Sequence, residues 1–180
     1  MIHDEDNKDS KGGKIIKSSI ITYDTPHTLL NSFCAWQHRA RNNINNDPWI
    51  QNNDNYDVAV LITRRRLCGS LQPCSMVGLA NVGTICVRPD AACFIVEDTG
   101  LNAAFTIAHE LGHVMGIPHD DQDQCLKYYE EEKSRIKKKK GKKSKKTFYK
   151  ANIMASVQKS INHIWAWSSC SRHFINNHLR

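Results

Sequence analysis

The sequence predicts an α/β (α+β) domain, and three observations carry that prediction. Leu29, Leu30, Phe33, Trp36, Ala40 and Ile44 recur at helical spacing. The run YDVAVLIT at 56–63 is short, apolar and rich in β-branched residues, as a strand is. The segment 101–115 again has helical spacing and stops at Gly116 and Pro118, two helix terminators. With 180 residues, 40% of them hydrophobic and 24% charged, the chain can bury a core and is not a disordered polymer.

Taken in order, 1–19 is polar and reads as a loose lead-in to a domain at 20–180. Ile15, Ile16, Ile20 and Ile21 suggest a strand at 14–23. A helix follows at 28–44, then an Asn/Asp-rich loop at 42–55 that contains Asp47-Pro48. The run 56–63 reads as an interior strand, 68–74 as a turn-rich loop, 77–86 as an edge strand and 92–96 as another strand. After the helix at 101–115, the tract 133–146 reads as a solvated, Lys-rich loop insertion. A short helix at 168–178 closes the chain.

The formal charge of +7 is local. The tract 133–146 holds ten basic residues and no acidic one, and without it the balance becomes −3. The fold itself is therefore not basic, which argues against a nucleic-acid-binding domain. The tract itself is a candidate for attracting heparin-like polyanions, acidic matrix or nucleic acid through many weak contacts, with a flexible, solvated insertion as the alternative. No run of 18 apolar residues is present, so no segment has the length of a membrane helix, and the N-terminus shows no apolar signal core. Seven scattered cysteines without a CxxC pair suit a disulfide framework in an oxidising compartment, with one thiol left over.

The chemistry lies in 109–120, which reads HExxHxxGxxHD. On a helix, His109 and His113 share a face and can hold one metal. Gly116 permits a sharp turn that brings His119 back as a third ligand. Three imidazoles leave a fourth zinc position open for water, as catalytic rather than structural sites do. Glu110 is the candidate general base for the zinc-activated water. Five matched positions and a sixth at Asp120 make the motif far more specific than a bare HExxH, whose histidines are often ordinary surface residues. Metzincin proteases carry this motif and, downstream, a Met-turn beneath the metal. Met154, 35 residues after His119, is the candidate, with plain core packing as the alternative.

Further blocks resemble the reprolysin branch, and within it the ADAMTS type. They are SFCAWQ at 32–37, YDVAVLITRRRLCG at 56–69, GLANVGTIC at 78–86, VED at 96–98, AAFT at 103–106 and WSSC at 167–170. The resemblance implies a metzincin-like mixed twisted sheet, an active-site helix and a small C-terminal subdomain after the third histidine. It also implies a secreted zinc endopeptidase acting on extracellular-matrix proteins. Trp165 and Trp167 would lie where metzincins build the S1′ wall, themselves as core or rim packing. His163, His173 and His178 lie outside the motif spacing. The family's connectivity implies Cys34–Cys93, Cys68–Cys74 and Cys125–Cys170. Cys86 stays unpaired in this chain, its partner expected beyond the tail helix. The chain resembles a catalytic domain cut short at both ends. Calcium ligands are implied at Asp57 and Glu97. Arg66 and Ser75, however, stand where the family carries Asp, and a site that loses carboxylates to Arg should hold Ca²⁺ poorly. A catalytically inactive zinc- or glycosaminoglycan-binding fragment is the alternative; the intact Glu110 argues against it.

Overall fold

The structure, a computed structural model, describes residues 25–42, 56–68, 74, 76–140, 152–157 and 166–178. The expected lead-in at 1–19, the strand at 14–23 and nearly all of the loop at 42–55 lie outside the described residues, as do Trp49, Ser75, His163 and Trp165.

Helix α1 spans Pro26–Asn42. Pro26 pre-sets the first turn, and Thr25 and Thr28 exchange side-chain-to-amide hydrogen bonds of 2.9 and 3.2 Å, a reciprocal cap. Three strands follow, β1 at Ala59–Thr63, β2 at Gly78–Ala80 and β3 at Cys93–Glu97, in the spatial order β1-β3-β2. β1 runs parallel to β3 and β2 antiparallel to it, so the sheet is mixed. Helix α2 is Ala103–Val114, α3 is Asp123–Lys140 and α4 is Ser169–His178.

β3 is central and buried on both faces, which is why it reads CFIVE with no polar residue before its end. Its side chains alternate between two cores. Cys93 and Ile95 pack with Leu29, Leu30, Phe33 and Leu67, under α1. Phe94 and Val96 pack with Ala103 and Val114 of α2. The sheet thus lies between α1 and α2. A third core joins Ile117, Ile153 and Met154 to Trp167 and Phe174, beneath the far end of α2.

Three expectations need correction. The run 56–63 is not an interior strand among the described residues: Ala59 and Leu61 face the core, while Val60 and Ile62 are 42% and 51% exposed. The edge strand at 77–86 is only three residues of β-structure, Gly78–Ala80. After Ala80 the chain turns, with positive φ at Gly83 and Cys86, and spends its amides on the end of α2. The Lys-rich tract is helical through Lys140, where a loop was expected; 141–146 lies outside the described residues. Lys, Arg and Glu are strong helix formers, and Glu131 and Arg135 pair at i,i+4.

The structure joins Cys34 to Cys93, Cys68 to Cys74 and Cys125 to Cys170, and leaves Cys86 exposed as a free thiol. The Cys125–Cys170 bridge ties α3 to α4 across 45 residues of sequence, beside the stacked rings of Tyr128 and His173. Replacing both cysteines by serine is expected to lower stability by about 2–4 kcal/mol in denaturant unfolding.

Candidate metal centre

The metal motif begins on α2 and finishes on the return after it. Gly116, at φ 80°, ends the helix: its amide bonds His113 O at 2.8 Å and the Ile117 amide bonds Gly112 O at 2.9 Å. This pairing is a Schellman cap with glycine in the left-handed position. A distant loop completes the cap. Gly83 N reaches His113 O at 2.8 Å, and Thr84 N and Ile85 N reach Val114 O at 3.0 and 3.2 Å. The reversed chain then carries His119 back to the helix.

Nε2 of His119 lies 3.2 Å from Nε2 of His109 and 3.0 Å from Nε2 of His113. Nδ1 of His109 faces the Ile153 carbonyl at 2.7 Å, and Nδ1 of His113 faces the Ile117 carbonyl at 3.0 Å. A carbonyl can only accept, so each Nδ1 carries the proton and donates it. Each Nε2 is left with a bare lone pair. Ring nitrogens so close either share a proton with His119 Nε2 or hold a cation among them. Two nitrogens at 2.0–2.1 Å from a tetrahedral zinc ion lie about 3.3 Å apart, close to the separations found. The donor set therefore fits zinc. Among the described residues, His109, His113 and His119 form the one group of three or more potential ligands close enough to hold a metal.

Burial, with the neighbouring imidazoles adding to it, pushes His113 down to about 4, and burial holds His109 below its ordinary value too. Both rings are thus neutral and ready to ligate at pH 7. Protons compete with the metal, and lowered values delay that competition. Bound zinc is expected to persist through pH 6.5 and to be lost only at more acidic pH. Metal content after equilibration across pH 7 to 4 checks this.

Glu110 is buried on the same helix, 5% exposed. Desolvation alone raises its carboxyl to about 8. A zinc cation alongside would oppose that push and favour the carboxylate.

Met154 is fully buried beneath α2. Gly112 makes room for it: a Cβ there would meet Met154 Sδ at 2.5 Å and Trp167 at 3.1 Å. Trp167 is core packing. The turn also acts through its backbone, since Ile153 O orients His109 and Met154 O accepts the Asp120 amide at 2.8 Å.

The motif marks Asp120, but its partners Ser168 and Ser171 carried no sequence signal for this role. Asp120, buried next to the third histidine, accepts hydrogen bonds from Ser168 at 2.5 Å and Ser171 at 3.3 Å. Ser168 also caps α4 through the Ser171 amide at 2.9 Å. One carboxylate thus links the third-ligand segment to the last helix. Desolvation raises the Asp120 carboxyl, and the two serines pull it back. The remaining assigned residues lie elsewhere. Asp57 is exposed. Glu97 accepts the Leu67 amide at 3.1 Å and faces Arg66 at 4.0 Å. His173 stacks on Tyr128, and its Nε2 lies 3.0 Å from the Asn177 amide nitrogen.

Three converging imidazoles, on a helix and its glycine-turned return behind a mixed sheet, define a metallopeptidase centre of the metzincin class. Residues 14–120 match the family described as Metallo-peptidase family M12B Reprolysin-like. The chain is 36% identical over 179 residues, 99% of its length, to A disintegrin and metalloproteinase with thrombospondin motifs 1 of Homo sapiens. It is 39% identical over 159 residues, 88% of its length, to A disintegrin and metalloproteinase with thrombospondin motifs gon-1 of Caenorhabditis elegans. A further 39% identity over 160 residues, 89% of its length, relates it to A disintegrin and metalloproteinase with thrombospondin motifs 20 of Homo sapiens. It spans 15%, 6% and 7% of these relatives' own lengths. The chain belongs to the M12B reprolysin-like metallopeptidases, as a catalytic domain of the ADAMTS type.

Proposed function

We propose that this domain is a zinc-dependent endopeptidase that hydrolyses peptide bonds with Glu110 as its general base. The observation that supports it most is the convergence of three Nε2 atoms, two of them left as acceptors by Nδ1–carbonyl hydrogen bonds. His109, His113 and His119 would hold the ion. Zinc, when bound, supplies Lewis acidity to the scissile carbonyl and to the attacking water. Glu110 accepts the water's proton and returns it to the leaving amine. The Ile117 and Ile153 carbonyls keep the two helix imidazoles in the ligating tautomer throughout. Extended substrate would pair with the free side of β2, which among the described residues is an edge of the sheet.

By resemblance, the setting is secreted and the substrates are extracellular-matrix proteins. Calcium is expected to bind weakly at Asp57 and Glu97, because the Arg66 guanidinium already faces Glu97. The test of the function is cleavage of a quenched-fluorescent peptide library by the zinc-loaded chain. Cleavage should stop on chelation and return with zinc. Zinc-loaded, folded chain that cleaves no member would favour a non-catalytic zinc module.

A second activity, polyanion capture, is supported by the ten basic residues, with no acidic one, in the tract 133–146. Its first six basic residues, Lys133, Arg135 and Lys137 to Lys140, fall on α3 in direct succession to Glu130, Glu131 and Glu132. Retention on heparin that weakens steeply with salt, and is lost on neutralising 133–146, is the expected result.

A further inference from the structure

Gly78 opens β2, and the atoms nearest to it across the strand–helix gap belong to Glu110. A Cβ built on Gly78 would stand 2.5 Å from Glu110 Oε1, 2.7 Å from its Cγ and 2.8 Å from its Cδ. All three distances are far inside van der Waals contact. The Glu110 side chain therefore fills the space in which any other residue at 78 would place its own side chain.

The gap cannot widen without breaking hydrogen bonds. On one side, Gly78 is in register with Val96 of β3, and Glu97 N bonds Val77 O at 2.8 Å. Just after the strand, Gly83 N, Thr84 N and Ile85 N are tied to the last carbonyls of α2 at 2.8, 3.0 and 3.2 Å. Strand and helix are clamped together, so the freedom to respond to a Cβ lies in the Glu110 side chain alone. That side chain is 5% exposed and has little room to swing.

We infer that Gly78 is a positioning residue for Glu110: its missing side chain is the slot that fixes where the carboxyl stands. The inference rests on the reading of Glu110 as the general base. A side chain at 78 turns the carboxyl out of the slot while leaving the three imidazoles on their own helix and return. Misplacing a catalytic group by about 1 Å is enough to lower rates by on the order of 10²-fold.

The test is a four-member cycle on the zinc-loaded chain: wild type, Gly78→Ala, Glu110→Ala and the double variant. Each is measured for thermal midpoint, zinc content and kcat. Gly78→Ala is expected to lower the midpoint by roughly 4–10 °C through overpacking. In the Glu110→Ala background, where the clashing Cγ, Cδ and Oε1 are gone, the same substitution should be neutral or stabilising. Gly78→Ala should keep one zinc per chain yet lose on the order of 10² in kcat. If Gly78→Ala alone does not fold, the double variant still should. Equal losses of midpoint in both backgrounds, failure of both variants to fold, or full activity of Gly78→Ala would each overturn the inference. If none of the four cleaves peptide, the peptidase reading fails, and the midpoint cycle still decides whether Gly78 holds Glu110.

Discussion

Glu110→Gln is expected to reduce kcat by on the order of 10³-fold while one zinc stays bound per chain. The reason is a division of labour along one helix turn. His109 and His113 are held by the Ile153 and Ile117 carbonyls, and neither bond involves Glu110. Metal retention should therefore be indifferent to the substitution. Glutamine keeps the shape that fits against Gly78 but cannot accept a proton from water. Burial alone pushes the Glu110 carboxyl up to about 8, so this group is an uncomfortable one for the metal-free fold to carry. Its neutral replacement should leave the thermal midpoint of the metal-free chain unchanged or higher. Zinc content, kcat and metal-free melting together check this. Loss of zinc in Glu110→Gln would mean that the carboxylate is structural and not a base.

Met154→Ala is expected to cost about 2–5 kcal/mol of stability, a large share of what a domain of this size has. Met154 is fully buried in the third core with Ile117 and Ile153, and Gly112 and Trp167 close over its thioether. Alanine would leave a cavity directly beneath the helix that bears two ligands. Met154→Leu conserves volume and should cost less than about 1.5 kcal/mol. In both variants the Ile153 and Met154 carbonyls remain available to His109 and Asp120, so the folded fraction should still bind zinc. Denaturant unfolding with zinc assay of the folded protein checks this. A leucine variant that folds normally but loses zinc would assign the sulfur a part in holding the metal, beyond packing.

How far the sequence could be read follows from where each piece of information is stored. The three candidate ligands and the proposed base sit within twelve residues, and local spacing on a helix with a glycine stop is enough to bring them together. The helices at α1 and α2 announced themselves through apolar spacing and terminators. The supports of the site are non-local. The carbonyls of Ile117 and Ile153 are backbone atoms and carry no residue signature. Asp120 meets Ser168 and Ser171 across 48 and 51 residues. Gly78 and Gly112 matter for what is absent at Cβ, and a lone glycine in a sequence does not say what approaches it. The weak alternation of 77–86 predicts a longer strand than forms, because it does not reveal that the amides of 83–85 cap a helix elsewhere. The charge of the basic tract suggests a solvated loop, whereas lysine's helix propensity and a covalently anchored first turn favour α3.

The most direct test of the whole account is zinc-edge X-ray absorption on the folded, zinc-loaded chain, with metal content measured on the same sample. One zinc per chain, bound by three imidazole nitrogens and one oxygen at about 2.0–2.1 Å, is the predicted result. Folded chain that binds no zinc, or zinc coordinated by the Cys86 sulfur, would contradict it.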